Sequence, residues 1–415
     1  MFLRLSWKSL LSRKGSVLLT LMALTVSILV LLGVEHIRHQ SKQSFSQTVS
    51  GVDLIAGART SSVNLLLYSV FRMGNATNNI DWSTYQEIQA MPNIAWTIPI
   101  SLGDSHKGYR VMGTSKDYFT HFRYGQQQTL RFAQGREFDG LFDVVLGADV
   151  ARKLGYQLRE SLILSHGIVS TGFSDHDDKP FTVVGVLAPT GTPVDQALYV
   201  SLEGIEAIHI NWQQGIKLPT KPGADEHIDP AMLVPKNITA MMVGLKSKMA
   251  TFQVQRAIND YRAEPLTAIL PGVALSELWQ MMAVMEDTLR LISALILVAS
   301  LLGLSAMMLA SIRERQREIQ VMRLIGASPW FLFRLIQAEA LIIVLLAASI
   351  AGALLSGLLL ATGSLISAEF GLHISANFLS SSNIVMLTSV IGATVVVSTI
   401  PAISAYRRGL RAAGN

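Results

Sequence analysis

The sequence predicts a membrane α-helical protein: four transmembrane helices, with a large α+β domain inserted between helices 1 and 2. Half of the residues are hydrophobic and only 15% are charged, the balance of an integral membrane protein with a sizeable soluble part. Four apolar runs approach or exceed the roughly 20 residues that a bilayer core demands. They lie at residues 15–34, 290–312, 335–362 and 384–403. Between the first two, residues 35–287 hold no run long enough to span.

The elements follow in order. Residues 1–14 form a basic amphipathic helix, with Leu3, Trp7 and Leu10 on one face and Arg4, Lys8 and Ser12 on the other. Such a helix lies in the membrane interface. Span 1 starts basic, like a signal peptide. Its apolar part is longer than an h-region, and Val34–Arg38 offers no small-x-small cleavage site, so it is expected to stay as an anchor. Within residues 35–287 strands are expected near 52–56, 96–102, 109–113, 143–146, 181–187, 198–200, 239–245 and 266–270. Helices are expected near 63–73, 82–91 (Asp81 as N-cap), 148–154 and 251–261. Residues 211–235, rich in Pro, Gly and charge, read as a loop. The strand–helix pattern at both ends of this insertion suggests one porter-like part, 50–114 with 236–272, carrying an inserted subdomain, 115–235. Residues 274–289 are amphipathic and run into span 2, so 274–312 reads as a stalk and span in one helix.

Charge fixes the sides. Arg4, Lys8, Arg13 and Lys14 precede span 1; Arg313, Arg315, Arg317 and Arg323 fill the short loop 313–334; Arg407, Arg408 and Arg411 lie in the tail 404–415. The loop 363–383 has no Lys or Arg. The positive-inside rule then puts both termini and loop 313–334 in the cytoplasm and the large domain outside. The net charge of +5 reflects this clustering and does not imply a nucleic-acid partner. In loop 313–334, Ile312, Ile319, Met322 and Ile325 recur at helical spacing with charges on the other faces, and Gly326 is placed to close the helix. A firm charged helix there suits docking to a cytoplasmic partner; a solvated topogenic loop is the plain alternative. Spans 3 and 4 carry small residues, Gly352, Ser356, Gly357, Gly363, Gly392, Ala393 and Ser398, which favour close helix packing.

These features together resemble the FtsX/MacB-like ABC transporter permease family. The stretch RERQREIQVMRLIGASPWFLFRLIQAEA is similar to its conserved inner-loop motif at Arg313, Glu314, Arg315, Glu318, Ile319, Arg323, Gly326, Ala327 and Glu339. The close IPAISAYR, residues 400–407, resembles the family's ending, but the tail RRGLRAAGN departs from it. The resemblance implies a bacterial inner-membrane permease working as a homodimer or heterodimer. A separate ABC ATPase, with ATP and Mg bound there, docks on a coupling helix at Arg313–Gly326. The periplasmic domain then works on a lipid, lipoprotein, drug or peptide, with a possible periplasmic adaptor or substrate protein. An ATP-driven regulator of a periplasmic cell-wall hydrolase, a metal-related envelope system, and a sensor without an ATPase are the alternatives.

Chemistry in the chain itself is sparse. No GxxxxGK[ST] P-loop occurs, and no Ser/His/Asp arrangement is recognisable, so no enzyme activity or cofactor is expected in this chain. Zero cysteine removes disulfides and thiolate sites. His166, followed by Asp175-His176-Asp177-Asp178, is the sharpest His/Asp cluster. Two imidazoles and carboxylates are metal-binding donors, but an Asp-rich turn is ordinarily just solvated. His166, His176 and Asp178 are therefore weak metal candidates and no metal is assigned. His209 and His227 receive no role.

Overall fold

The computed structural model describes residues 2–11, 13–48, 50–167, 178–210, 212–213, 216–217, 230–314, 316–370 and 380–411. The chain divides into two units: Met1–Ser41 with Met282–Leu365 and Ile374–Asn415, and Lys42–Met281 with Ile366–His373. In chain order the α-helices are α1 (Phe2–Leu11), α2 (Lys14–Gln47), α3 (Ser62–Leu66), α4 (Trp82–Gln89), α5 (Asp117–His121), α6 (Ala148–Leu154), α7 (Leu202–His209), α8 (Thr251–Asn259), α9 (Pro271–Glu314), α10 (Gln316–Leu324), α11 (Pro329–Phe370) and α12 (Ser381–Arg411).

In the first unit, α2, α9, α11 and α12 are long and apolar enough to cross a membrane. Their shared core holds Leu24, Ile28 and Leu32 of α2, Leu301, Leu304 and Met308 of α9, Ile343 and Ala347 of α11, and Val390 of α12. Between apolar helices in lipid the hydrophobic drive is weak, so polar side chains and close packing hold the bundle. Ser27 Oγ lies 2.6 Å from Ser300 Oγ, Ser305 donates to the Val397 carbonyl (3.0 Å), and Ser398 donates to Gln337 Oε1 (2.6 Å). Of the small residues singled out above, Gly352 is buried, whereas Gly357 and Gly392 are exposed with open space where a Cβ would stand.

The helices outrun the apolar runs. α2 continues to Gln47, well past Val34, because Glu35 and His36 are buried and the following Gln, Lys and Ser residues tolerate a helix. Apolarity ends a span; it does not end a helix. α9 is one uninterrupted helix of 44 residues, about 66 Å at 1.5 Å per residue. In α1 the inward face carries Ser6, Ser9 and Leu10, while Trp7 and Leu11 point outward.

The second unit is built on one 11-stranded sheet. Its strands are β1 (Leu54–Ala58), β2 (Ile94–His106), β3 (Tyr109–Thr114), β4 (Phe132–Gly135), β5 (Asp143–Leu146), β6 (Ser161–Leu162), β7 (Ser165–His166), β8 (Phe181–Leu187), β9 (Ala197–Ser201), β10 (Ala240–Leu245) and β11 (Leu266–Ile269). The order is β11-β1-β10-β2-β3-β9-β5-β8-β4, with β7 added to β2 and β6 to β8. Strands from 50–114 and 236–272 therefore form one half, and strands from 115–235 extend the same sheet through the parallel β3–β9 pair. β8 alternates buried and half-buried along its length, as one-sided packing dictates. α4 and α8 pack over the first half, through Tyr85, Ile88, Val254 and Ile258. α6 and α7 pack over the second half, through Val150 and Ile208.

Some expected elements differ. The helix expected at 63–73 is α3 followed by a π-helical turn, Leu67–Phe71, which Arg72 closes at φ 56°. Asp81 occupies the N-cap position of α4 without a side-chain capping bond. β2 runs four residues beyond Leu102 because a bulge lets its pairing with β3 resume at Ser105.

Candidate functional site

The inner loop holds a shorter helix than the expected Arg313–Gly326: α9 takes in Arg313 and Glu314, and α10 keeps part of the apolar stripe. Ile319 and Met322 of α10 pack with Ile312, Leu332 and Ile336, and that burial holds so short a helix in place. Gly326 sits at φ 99°, and the Ala327 N–H donates to the Met322 carbonyl at 2.9 Å, the six-to-one bond of a Schellman close. Ser328 Oγ then accepts from the Phe331 N–H (3.2 Å), and Pro329 opens α11. Arg313, Glu314 and Glu318 are exposed, as are Val321, Leu324 and Ile325. Ile325 leaves the apolar stripe because α10 ends at Leu324; it is 82% exposed. Arg323 lies in α10, and Ala327 is half-buried. Arg315 lies outside the described residues.

Ion pairs that spacing alone did not reveal tie the helices of this unit together. Glu339 of α11, 1% exposed, accepts from Arg13 (3.1 Å) and from Ser9 of α1. Near the far end of α2, Glu35 accepts from Arg290 of α9 (2.9 Å), Arg38 (3.1 Å) and Ser382 of α12 (2.6 Å), and Arg38 also reaches Glu286 (3.3 Å). A carboxylate in an apolar bundle is tolerated only when so paired.

The second unit brings together three side chains. Asp104 of β2, 3% exposed, stands directly across from His166 of β7 in the antiparallel register. Its Oδ1 is 3.1 Å from His166 Nδ1 and 3.6 Å from His209 Nε2, at the end of α7. The two ring nitrogens are 3.4 Å apart. His209 Nδ1 lies 2.7 Å from the Ile205 carbonyl, one turn back in α7. Burial alone would raise the Asp104 carboxyl; hydrogen bonds from His166 and His209, with their charge, hold it at about 2. Burial alone would lower the His209 imidazole; the hydrogen bond and charge of Asp104, helped by the Ile205 carbonyl, raise it instead.

Of the sequence candidates, His166 enters this cluster. Asp178 is exposed, and His176 lies outside the described residues. Asp104 and His209 were missed. The available signal was Ser201, whose Oγ accepts from the Gly204 N–H (3.0 Å) and starts the LEGIEAIH helix that ends on His209. Nothing local marked Asp104, since its partner is 62 residues away in the chain.

Four spanning helices, an α+β domain interposed after the first, and a short capped helix between the second and third define a polytopic membrane subunit of permease type. Residues 17–261 match the MacB-like periplasmic core domain, and residues 290–410 match the FtsX-like permease C-terminal family. The chain belongs to this family: it is an FtsX-like ABC-transporter permease with a MacB-like periplasmic core domain. No curated protein matches it in sequence. Among solved structures it is similar to the periplasmic region of MacB from Actinobacillus actinomycetemcomitans. Identity is 12%, over 56% of this chain and 94% of that one, with a TM-score of 0.34. It is also similar to the extracellular domain of the noncanonic ABC-type transporter YknZ from Gram-positive bacteria. There identity is 11%, over 52% and 98% of the chains, with a TM-score of 0.31.

Proposed function

We propose that this chain transmits ATP-driven motion from a separate cytoplasmic ATPase to its periplasmic domain, for export or extraction of a lipid, lipoprotein, drug or peptide of the envelope. The observation that carries this reading is α9. It starts two residues after β11 of the sheet and runs unbroken to Glu314. A continuous helix is stiff over its length and passes displacement from one end to the other. α10 and the residues beside it supply the docking surface at the inner end: Arg313 and Glu314 at the close of α9 with Glu318 for charge, and Val321, Leu324 and the following Ile325 for apolar contact. Arg315, Ile319, Arg323, Gly326 and Ala327 complete the coupling segment by sequence. The apolar middles of the spans, 15–34, 291–312, 340–362 and 384–402, contain no charged residue. A channel for a polar solute needs ionisable residues there, so work by the outer domain is the better fit. ATP and Mg belong to the ATPase. The membrane is the bacterial inner membrane, with both termini cytoplasmic. A second permease copy, identical or related, pairs with this one; exposed Gly357 and Gly392 suit close approach of a helix.

Gentle detergent purification with mass spectrometry tests the reading. An ABC ATPase should be retained, and Val321→Arg with Leu324→Asp, both at exposed positions, should release it while the chain's melting temperature stays unchanged. Periplasmic proteins captured beside it identify the work: an adaptor or lipoprotein means transport, a cell-wall hydrolase means regulation. If no ATPase is retained, or the double variant keeps it, α10 is not the coupling helix.

A further inference from the structure

We infer that Asp104, His166 and His209 form a binding site for one divalent transition-metal ion of the zinc class. The geometry carries it. Tetrahedral zinc with ligands at about 2.0–2.1 Å sets neighbouring ligand atoms about 3.3–3.4 Å apart. The three donor atoms here stand at 3.1, 3.4 and 3.6 Å from one another. They come from three separate elements, so the convergence is a product of the fold and not of a local turn. β7 is registered on β2 so that His166 faces Asp104, and α7 delivers His209 at its last residue.

The chemistry agrees. A metal-bound imidazole generally donates its second N–H to a carbonyl or carboxylate, which fixes the tautomer. His209 is placed for that arrangement: its Nδ1 lies 2.7 Å from the Ile205 carbonyl, to which an Nδ1–H donates, and Nε2 faces the cluster. A bound cation takes the place of the proton that His209 Nε2 otherwise shares with Asp104 Oδ1, as metal binding to imidazole does generally. Two nitrogens with one carboxylate oxygen suit zinc, whereas calcium and magnesium take oxygen shells. The His166 side chain is 51% exposed, and the fourth ligand of a tetrahedral site would be a water or a donor from a bound partner. Within the fold the ion fastens β7 and the end of α7 to β2. This inference is independent of the coupling through α10.

The test uses the full chain in detergent micelles, stripped with chelator and titrated with zinc chloride against a competing fluorescent zinc indicator at neutral pH. One equivalent should bind at micromolar strength or tighter. His166→Ala and His209→Ala should each weaken binding at least about a hundredfold, more than loss of an outer hydrogen bond does. His121→Gln, in a histidine stacked on Trp96, should change nothing. X-ray absorption at the zinc edge on the unaltered chain needs no variant to fold. It should read nitrogen and oxygen neighbours at about 2.0–2.1 Å with imidazole scattering. Binding no tighter than about 100 µM, binding that survives both histidine variants, or an all-oxygen shell overturns the site and leaves a protonated histidine–aspartate cluster in its place.

Discussion

Arg72 sets a guanidinium among phenols instead of carboxylates. It donates to the Pro193 carbonyl (2.9 Å), Tyr199 Oη (3.0 Å) and Tyr118 Oη (3.2 Å), and both tyrosines are fully buried. Burial pushes the Tyr199 hydroxyl well above its ordinary range despite the nearby cation, so that phenol stays neutral and meets the charge as a dipole. Arg72→Met should cost about 2–3 kcal/mol in denaturant unfolding, since hydrogen bonds from a charged donor are lost and a buried carbonyl is left alone. Arg72→Lys should recover only part of this, because one ammonium nitrogen cannot stand at both positions from which Nη1 and Nη2 reach the three acceptors. The Asp104 cluster gives a pH signature in chelator. Asp104 is held at about 2, below its ordinary 3.8, so its stabilisation is full above pH 3.8 and is lost as pH falls through 2. The expected size is about 2 kcal/mol. His209 is raised, so its contribution is full below the ordinary 6.5 and is lost as pH rises through the raised value. Melting followed from acid to alkaline pH should show both slopes, and Asp104→Asn should flatten them together. A variant that keeps the acid slope would put its origin elsewhere.

Among the elements, α10 depends on how it ends. Gly326 at φ 99° lets the chain reverse into Pro329, and an added Cβ would meet nothing within 4 Å. Gly326→Ala should therefore cost only the left-handed backbone penalty, about 1–2 kcal/mol. ATPase retention should fall more than bundle stability does; an equal fall in both would make Gly326 merely structural. This close was readable from sequence, because a glycine after an apolar-periodic run and before Ser-Pro is a local signal. So were the spans, whose signal is simple length, and β8, whose FTVVGVL run shows its period. The extensions of α2 past Val34 and of β2 past Leu102 were not readable. In the first, a polar helix carries no apolar period; in the second, a bulge breaks the alternation. The ion pairs Arg13–Glu339 and Arg290–Glu35 join residues hundreds of positions apart, and only the bundle brings them together. The same holds for Asp104 with His166. The sequence singled out His166, but sought its partners in residues 175–178, when register supplied one from β2.

For the whole molecule, direction in the membrane decides whether the proposed coupling is possible. An ATPase in the cytoplasm can engage α10 only if the loop between α9 and α11 faces inward, and then the loop between α11 and α12 must face outward. The charges agree: Arg313, Arg317 and Arg323 border the first loop, while residues 363–383 carry no Lys or Arg. The chain has no cysteine, so any thiol introduced reports without background. Ser328, Ser380 and Met249 are suitable positions. Ser328 caps α11 through Oγ, which a thiol replaces weakly, and Met249 is 96% exposed in the periplasmic domain. With a membrane-impermeant maleimide on intact spheroplasts, Met249→Cys and Ser380→Cys should label and Ser328→Cys should not. After permeabilisation all three should label. Labelling of Ser328→Cys in intact cells would place α10 outside, beyond reach of any cytoplasmic ATPase. The unbroken α9 would then have no motor at its end, whatever metal the outer domain holds.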